Sequence, residues 1–113
     1  MESTTKTAQT DLVAALDKLW TRFLPDIRER VAVVESAVES LRKGLLSTGQ
    51  REAAASAAHK LAGVLGTFNL DRGTVLAREL ELIFSGADSL DPASADRLDA
   101  MAAELRSVIE SRK

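Results

Sequence analysis

Apolar residues recur at three- and four-residue steps along nearly the whole chain, and no stretch alternates apolar and polar residues over a strand's length between turn residues. That spacing calls for helices throughout. A first helix is expected from Asp11 to Phe23, with Leu12, Leu16, Leu19, Trp20 and Phe23 as its stripe. Pro25 is expected to end it, because a proline ring inside a helix displaces a carbonyl and removes a donor. The same Pro25 suits the first turn of a second helix, with Asp26 and Glu29 at its positive end and Arg42 and Lys43 near its negative end. Ile27, Val31, Val34, Val38, Leu41 and Leu45 line that helix, and Gly44 to Gly49 closes it.

A third helix begins near Gln50 and carries Ala53, Ala54, Ala57, Leu61, Leu65 and Phe68. Asn69 marks its end, and Asp71 is a good N-cap for a fourth helix with Val75, Leu76, Leu80 and Ile83. Ser85-Gly86 stops that helix, and Asp91-Pro92 opens a fifth with Leu98, Met101, Leu105, Val108 and Ile109. Connections this short favour antiparallel neighbours. The expected fold is therefore all-α: an antiparallel up-down four-helix bundle with an additional short N-terminal helix packed at one end. A chain of 113 residues makes one domain, 1–113, with residues 1–8 as a flexible lead-in. Trp20, beside Leu16 and Phe23, reads as a core anchor rather than a ligand-stacking platform.

Composition then narrows the chemistry. The absence of Cys removes disulfides, thiol redox chemistry and thiolate zinc sites, and one His leaves only carboxylates for a metal, so no stably bound metal is expected. Fifteen Lys and Arg against 17 Asp and Glu give no field to attract nucleic acid or an anionic membrane. The polar start lacks the pattern of a signal peptide, and the uncharged run Leu61 to Leu70 is far short of the roughly 20 residues of a membrane span. A cytoplasmic protein is expected, and, with no extended heptad in view, a monomer.

The single histidine, His59, points away from the bulky stripe of its helix, since Leu61, Leu65 and Phe68 fall roughly 180–240° around the wheel from it. Its own side holds Glu52, Ala55, Ser56, Ala62, Gly63 and Gly66, all small except Glu52. Two glycines inside a helix cost roughly 1 kcal/mol each relative to Ala, yet the stripe continues past them to Phe68. They leave the imidazole over a bare patch that another protein can approach closely. An exposed neutral imidazole is a competent nucleophile. No second His or Cys accompanies it, and Ser56 lacks the orienting group and oxyanion hole of a hydrolase. That leaves a group-accepting side chain, with the long stem of Lys60 able to reach round to a dianionic group on it.

The run Ala58-His59-Lys60-Leu61-Ala62-Gly63-Val64-Leu65-Gly66-Thr67-Phe68, followed by Leu76-Ala77-Arg78-Glu79-Leu80-Glu81, resembles the signature of histidine-containing phosphotransfer (HPt) domains, the His relay modules of bacterial two-component phosphorelays. The resemblance implies that His59 is the phosphoryl acceptor, that Gly63 gives a partner access, that Leu61 is the buried leucine, and that Glu81 closes the following helix. The lysine common three residues after the histidine is Ala62 here, with the positive charge at Lys60 instead. The resemblance also implies a phosphocarrier rather than an enzyme, whose partners are a response-regulator receiver domain or a histidine kinase, with Mg²⁺ on the receiver. Docking is expected over Ala55, Ser56, Ala62, Gly63 and Gly66, with Lys60 and Gly63 beside the phosphoryl group. The alternatives are a helical interaction module without phosphoryl chemistry, and the phosphoacceptor domain of a chemotaxis-type histidine kinase.

Overall fold

The computed structural model describes residues 2–86 and 90–112, with side chains from residue 9 onward. It contains four α-helices and no strand among the described residues: α1 (Glu2–Arg42), α2 (Thr48–Thr67), α3 (Asp71–Ser85) and α4 (Ala95–Ser111), the last preceded by a 3-10 turn over Pro92–Ser94. Five helices were expected, and the difference lies at Pro25, which sits inside α1 without ending it.

The reason is a seam that passes through the proline in phase. Trp20, Leu24, Ile27, Val31, Val34, Val38 and Leu41 recur at alternating steps of four and three, and all are buried apart from half-buried Leu24. A break at Pro25 would rotate Trp20 out of line with Ile27. An interior proline costs about 3 kcal/mol, whereas full burial of a large apolar side chain contributes roughly 1.5–3 kcal/mol, so Trp20 together with the half-buried Leu16 and Leu24 packed beside it offsets the proline and keeps the seam whole. Pro25 and Thr21, whose carbonyl loses its donor, are both exposed, where water can satisfy that carbonyl.

The expected short N-terminal helix packed at one end is therefore not a separate element but the first half of α1, which starts at Glu2 within the stretch expected as a flexible lead-in. Its 41 residues make a rod of about 60 Å, matching the 61 Å long axis of a molecule 20 Å across. Leu12, Leu19 and Phe23, expected in the core, are exposed on that rod. Leu45 is exposed as well. Gly44, at φ +71°, turns the chain after Arg42, and the Gly44 and Leu45 amides bond to the carbonyls of Leu41 (2.9 Å) and Ser40 (2.8 Å).

α2 opens on a reciprocal cap: the Ser47 hydroxyl accepts from the Gln50 amide, and the Gln50 side chain accepts from the Ser47 amide, both at 3.1 Å. It closes through Asn69, at φ +58°, with the Leu70 amide bonded to the Leu65 carbonyl (3.0 Å) and the Asn69 amide to that of Gly66 (3.1 Å). Asp71, expected as the N-cap of the next helix, is instead the first residue of α3, one place beyond Leu70, and still favours its positive end. The other end of α3 is capped from α2. The Arg51 guanidinium donates to the carbonyls of Phe84 (2.7 Å) and Gly86 (2.5 Å).

Salt bridges tie α4 to its neighbours. Arg28 pairs with Glu110 (2.7 Å), Glu35 with Arg106 (2.6 Å) and Arg42 with Asp96 (2.5 Å), while Arg72 of α3 pairs with Glu104 (2.5 Å). The order of these partners along α1 and α4 is reversed, so the two helices run antiparallel. The guanidinium hydrogen bonds hold the Glu104 and Glu110 carboxyls below the ordinary carboxylate range. Pairs this exposed add little stability each, and their value lies in selecting one alignment of the helices.

α2, α3 and α4 converge at Gly73. A Cβ there would stand 3.0 Å from Leu65 Cδ1 and 3.3 Å from Val108 Cγ1, whereas one at Gly63 would meet nothing within 4 Å. Gly73→Leu should therefore destabilise the fold by about 1–3 kcal/mol through overpacking. Gly63→Ala should stabilise it by up to about 1 kcal/mol through helix propensity. Urea unfolding midpoints test the pair; shifts of the same sign would contradict this account of the packing.

Candidate functional site

α2 buries one arc of small and apolar residues, Ala54, Ala57, Ala58, Leu61, Ala62 and Leu65, and exposes the opposite arc, on which Ser56, His59, Lys60, Gly63 and Gly66 stand. His59 stands out from this arc with 73% of its side chain exposed. The expected patch is thus assembled with one correction. Ala62 is buried and cannot form part of an accessible surface. The wheel places it on the flank that α3 covers, and the alanine-rich arc lets α3 come close enough to enclose it. Ala55, on the same flank, is half-buried.

The two flanks of His59 differ in charge. On the α3 side, the Glu81 carboxylate lies 2.7 Å from His59 Nδ1, with 29% of the glutamate side chain exposed. On the α1 side, Lys60 and Ser56 line an open groove with Asp26, Glu29, Arg30 and Val33. Lys60 makes no ion pair among the described residues and stays free to swing toward His59. Gly63, one turn beyond His59, leaves open space, while a Cβ at Gly66 would touch Thr74 Oγ1 at 3.8 Å.

The Glu81 contact decides what the imidazole can do. An ionised carboxylate only accepts hydrogen bonds, so Nδ1 must carry the proton and donate. In the neutral ring the lone pair then sits on Nε2, the nitrogen farthest from the backbone. A carboxylate at this position also steadies the positive charge that appears on the ring when Nε2 forms a bond, as the aspartate of a hydrolytic triad does for its histidine. The arrangement makes Nε2 an oriented nucleophile without an adjoining oxyanion hole or second catalytic group, which suits acceptance of an activated group.

The family resemblance put Glu81 at the close of the next helix, but it lies four residues inside α3, which runs to Ser85, and nothing in the sequence reading set it against His59. The signal was present: His59 and Glu81 lie equally far along the chain from Leu70, at the turn, and two helices folded back on each other bring such positions together. Arg51 and Gly73 were not singled out at all. Each acts across a helix interface that no local pattern reveals.

The sequence model of a family described as "Hpt domain" matches residues 18–108. Among curated proteins, Protein RcaC of Microchaete diplosiphon is 31% identical over 103 residues, which cover 91% of this chain and 16% of that protein. The chain thus spans about one sixth of the length of this relative. No solved structure matches.

The tautomer is directly observable. Long-range ¹H–¹⁵N spectra of the neutral ring should show the proton on Nδ1 in the wild type. Glu81→Ala should move it toward Nε2, the preference of an unconstrained histidine side chain, with little change in unfolding midpoint because exposed pairs contribute only ~0.2–1 kcal/mol. An Nε2–H ring in the wild type would overturn the orientation argued above.

Proposed function

Because the chain belongs to the Hpt domain family, whose members carry phosphoryl groups on histidine in two-component phosphorelays rather than turning over a substrate, we propose that His59 accepts a phosphoryl group from the phospho-aspartate of a receiver domain and passes it on. The observation that carries this reading is the combination of a Glu81-held Nδ1–H with an exposed Nε2 over the open surface at Gly63.

In the forward step the Nε2 lone pair forms an N–P bond as the O–P bond to the aspartyl carboxylate of the receiver breaks, and that carboxylate leaves with the electron pair. No proton has to move, since Nδ1 keeps its own. The ring becomes a phospho-imidazolium whose positive charge faces Glu81 at 2.7 Å. Return transfer reverses each bond change, with the neutral imidazole as leaving group. Lys60 offsets charge on the phosphoryl oxygens, and Mg²⁺ with a further cation belongs to the receiver. Docking uses Ser56, Gly63 and Gly66 with the edge of Ala55. The interface is small and transient, because relay partners must separate between transfers.

The test is transfer from a phosphorylated receiver with Mg²⁺ to wild type and His59→Gln, read by intact-protein mass under neutral conditions that preserve the N–P bond. A phosphoryl mass gain in the wild type alone is expected; an equal gain in His59→Gln would remove the assignment. Gly63→Leu should keep the fold and slow transfer at least tenfold by obstructing approach. Unchanged kinetics in that variant would show that the partner docks elsewhere.

A further inference from the structure

The N-terminal part of α1 carries an apolar seam that the bundle uses only in part, since Leu16 packs against the core and the Phe23 ring meets that of Phe68 at 6.5 Å between centroids. Leu12 (61% exposed), Leu19 and Phe23 are exposed and Leu16 is half-buried, and the four recur at steps of four, three and four. This is the spacing of a coiled-coil seam. It lies about 100° round the helix from the Trp20–Leu41 seam, so α1 has one seam committed to its own bundle and a second, overlapping it between Leu19 and Leu24, whose Leu12 and Leu19 face outward. The rod of about 60 Å also outruns α2 and α4, which at 20 and 17 residues span roughly 30 Å and 25 Å. Asp17 bonded to Arg112 (3.3 Å) and Trp20 against Phe68 (5.1 Å between centroids) mark the end of the bundle. The described residues before them, 9–16, are exposed apart from half-buried Leu16, and so short a helical stretch is marginal in water by itself. The family match begins at residue 18, so most of this overhang lies outside the shared domain.

We propose that this seam, which runs from the overhang onto the end of the bundle, pairs with a second copy of the chain as an antiparallel two-helix coil, giving a C2 dimer. The seam is self-complementary in that direction. Leu12 packs against Phe23 of the partner subunit and Leu16 against Leu19 of the partner subunit, each contact occurring twice by symmetry. The charges agree. Asp11 and Arg22, neither ion-paired among the described residues, lie on the same flank of the seam, and the antiparallel register brings Asp11 within about 3 Å axially of Arg22 of the partner subunit. The immediate flanking positions on the overhang, Val13 and Ala15, carry no charge to oppose self-pairing. A monomer was expected because no extended heptad was in view; the run from Leu12 to Phe23 supplies a short one. Four apolar layers make a small interface, so the dimer depends on concentration.

Sedimentation equilibrium of the full chain, at loadings from roughly 10 µM to roughly 500 µM, tests this. The wild type should rise from one-chain toward two-chain mass, while Leu12→Glu/Leu19→Glu, altered at exposed positions and melting like the wild type, should stay at one. A wild type that remains at one-chain mass throughout, or a charged variant that still dimerises, would overturn the proposal. Direction is read by cross-linking, since the chain has no native cysteine. A short bismaleimide should join Leu12→Cys to Phe23→Cys in a mixture and leave Leu12→Cys alone unjoined, whereas efficient self-linking of Leu12→Cys would mean parallel pairing and defeat the model. Loss of receiver binding in Leu12→Glu/Leu19→Glu, with the wild type monomeric, would give the seam to the receiver instead. Phosphoryl transfer to His59 should be unchanged in the charged variant, so this test and that of the acceptor reading fail separately.

Discussion

At Asn69 the backbone enters the left-handed region, and the two hydrogen bonds around it end α2 and release the chain into α3 within three residues. So tight a return sets the register of the two helices at their shared end. Every pairing further up the hairpin inherits that register, and the one that matters for chemistry is Glu81 against His59. Arg51 secures the far end by holding the last carbonyls of α3, so the hairpin is pinned at both extremities. Gly73 lets the third partner, α4, seat against it. The orientation of one imidazole thus depends on a turn ten residues away.

Charge is divided unevenly over the molecule. Salt bridges to α4 come from Arg28, Glu35, Arg42 and Arg72, each long side chain committed to a specific partner. On the outer arc of α2 His59 is held to Glu81 by a hydrogen bond, and Lys60, Asp26, Glu29 and Arg30 along the neighbouring groove have no partner among the described residues. Uncommitted charges can rearrange around an arriving partner without first breaking an internal bridge. The committed ones keep the support behind the site from shifting when they do.

The helical class, the outward direction of His59 and the bare arc around Gly63 were legible because each follows from residue spacing on a single helix. The helix end at Asn69 was legible too, from residue type rather than spacing, since few residues tolerate the left-handed conformation it adopts. What escaped was competition between local and tertiary terms. Pro25 is a strong local breaker, and only the burial of Trp20 and Ile27 on one continuous seam outweighs it. Ala62 looked accessible because the wheel shows direction but not how close a neighbour comes, and alanine permits a very close one. Leu12 and Leu19 looked like core because periodicity marks an apolar seam without saying what covers it.

The Arg112 guanidinium, with 16% of its side chain exposed, lies 5.0 Å from the Trp20 ring centroid and 5.2 Å from that of Phe68, and its Nη1 makes no hydrogen bond. Trp20 is the sole tryptophan, and the chain has no tyrosine. The ultraviolet emission of the protein therefore arises almost wholly from one indole clamped between a cation and a phenyl ring, at the junction where α1 leaves the bundle. His59 is nine residues from Phe68 along α2, about 13 Å away. The intrinsic fluorophore thus senses how α1 is seated at the base of the molecule, since the groups that touch the indole are Phe68 and Arg112.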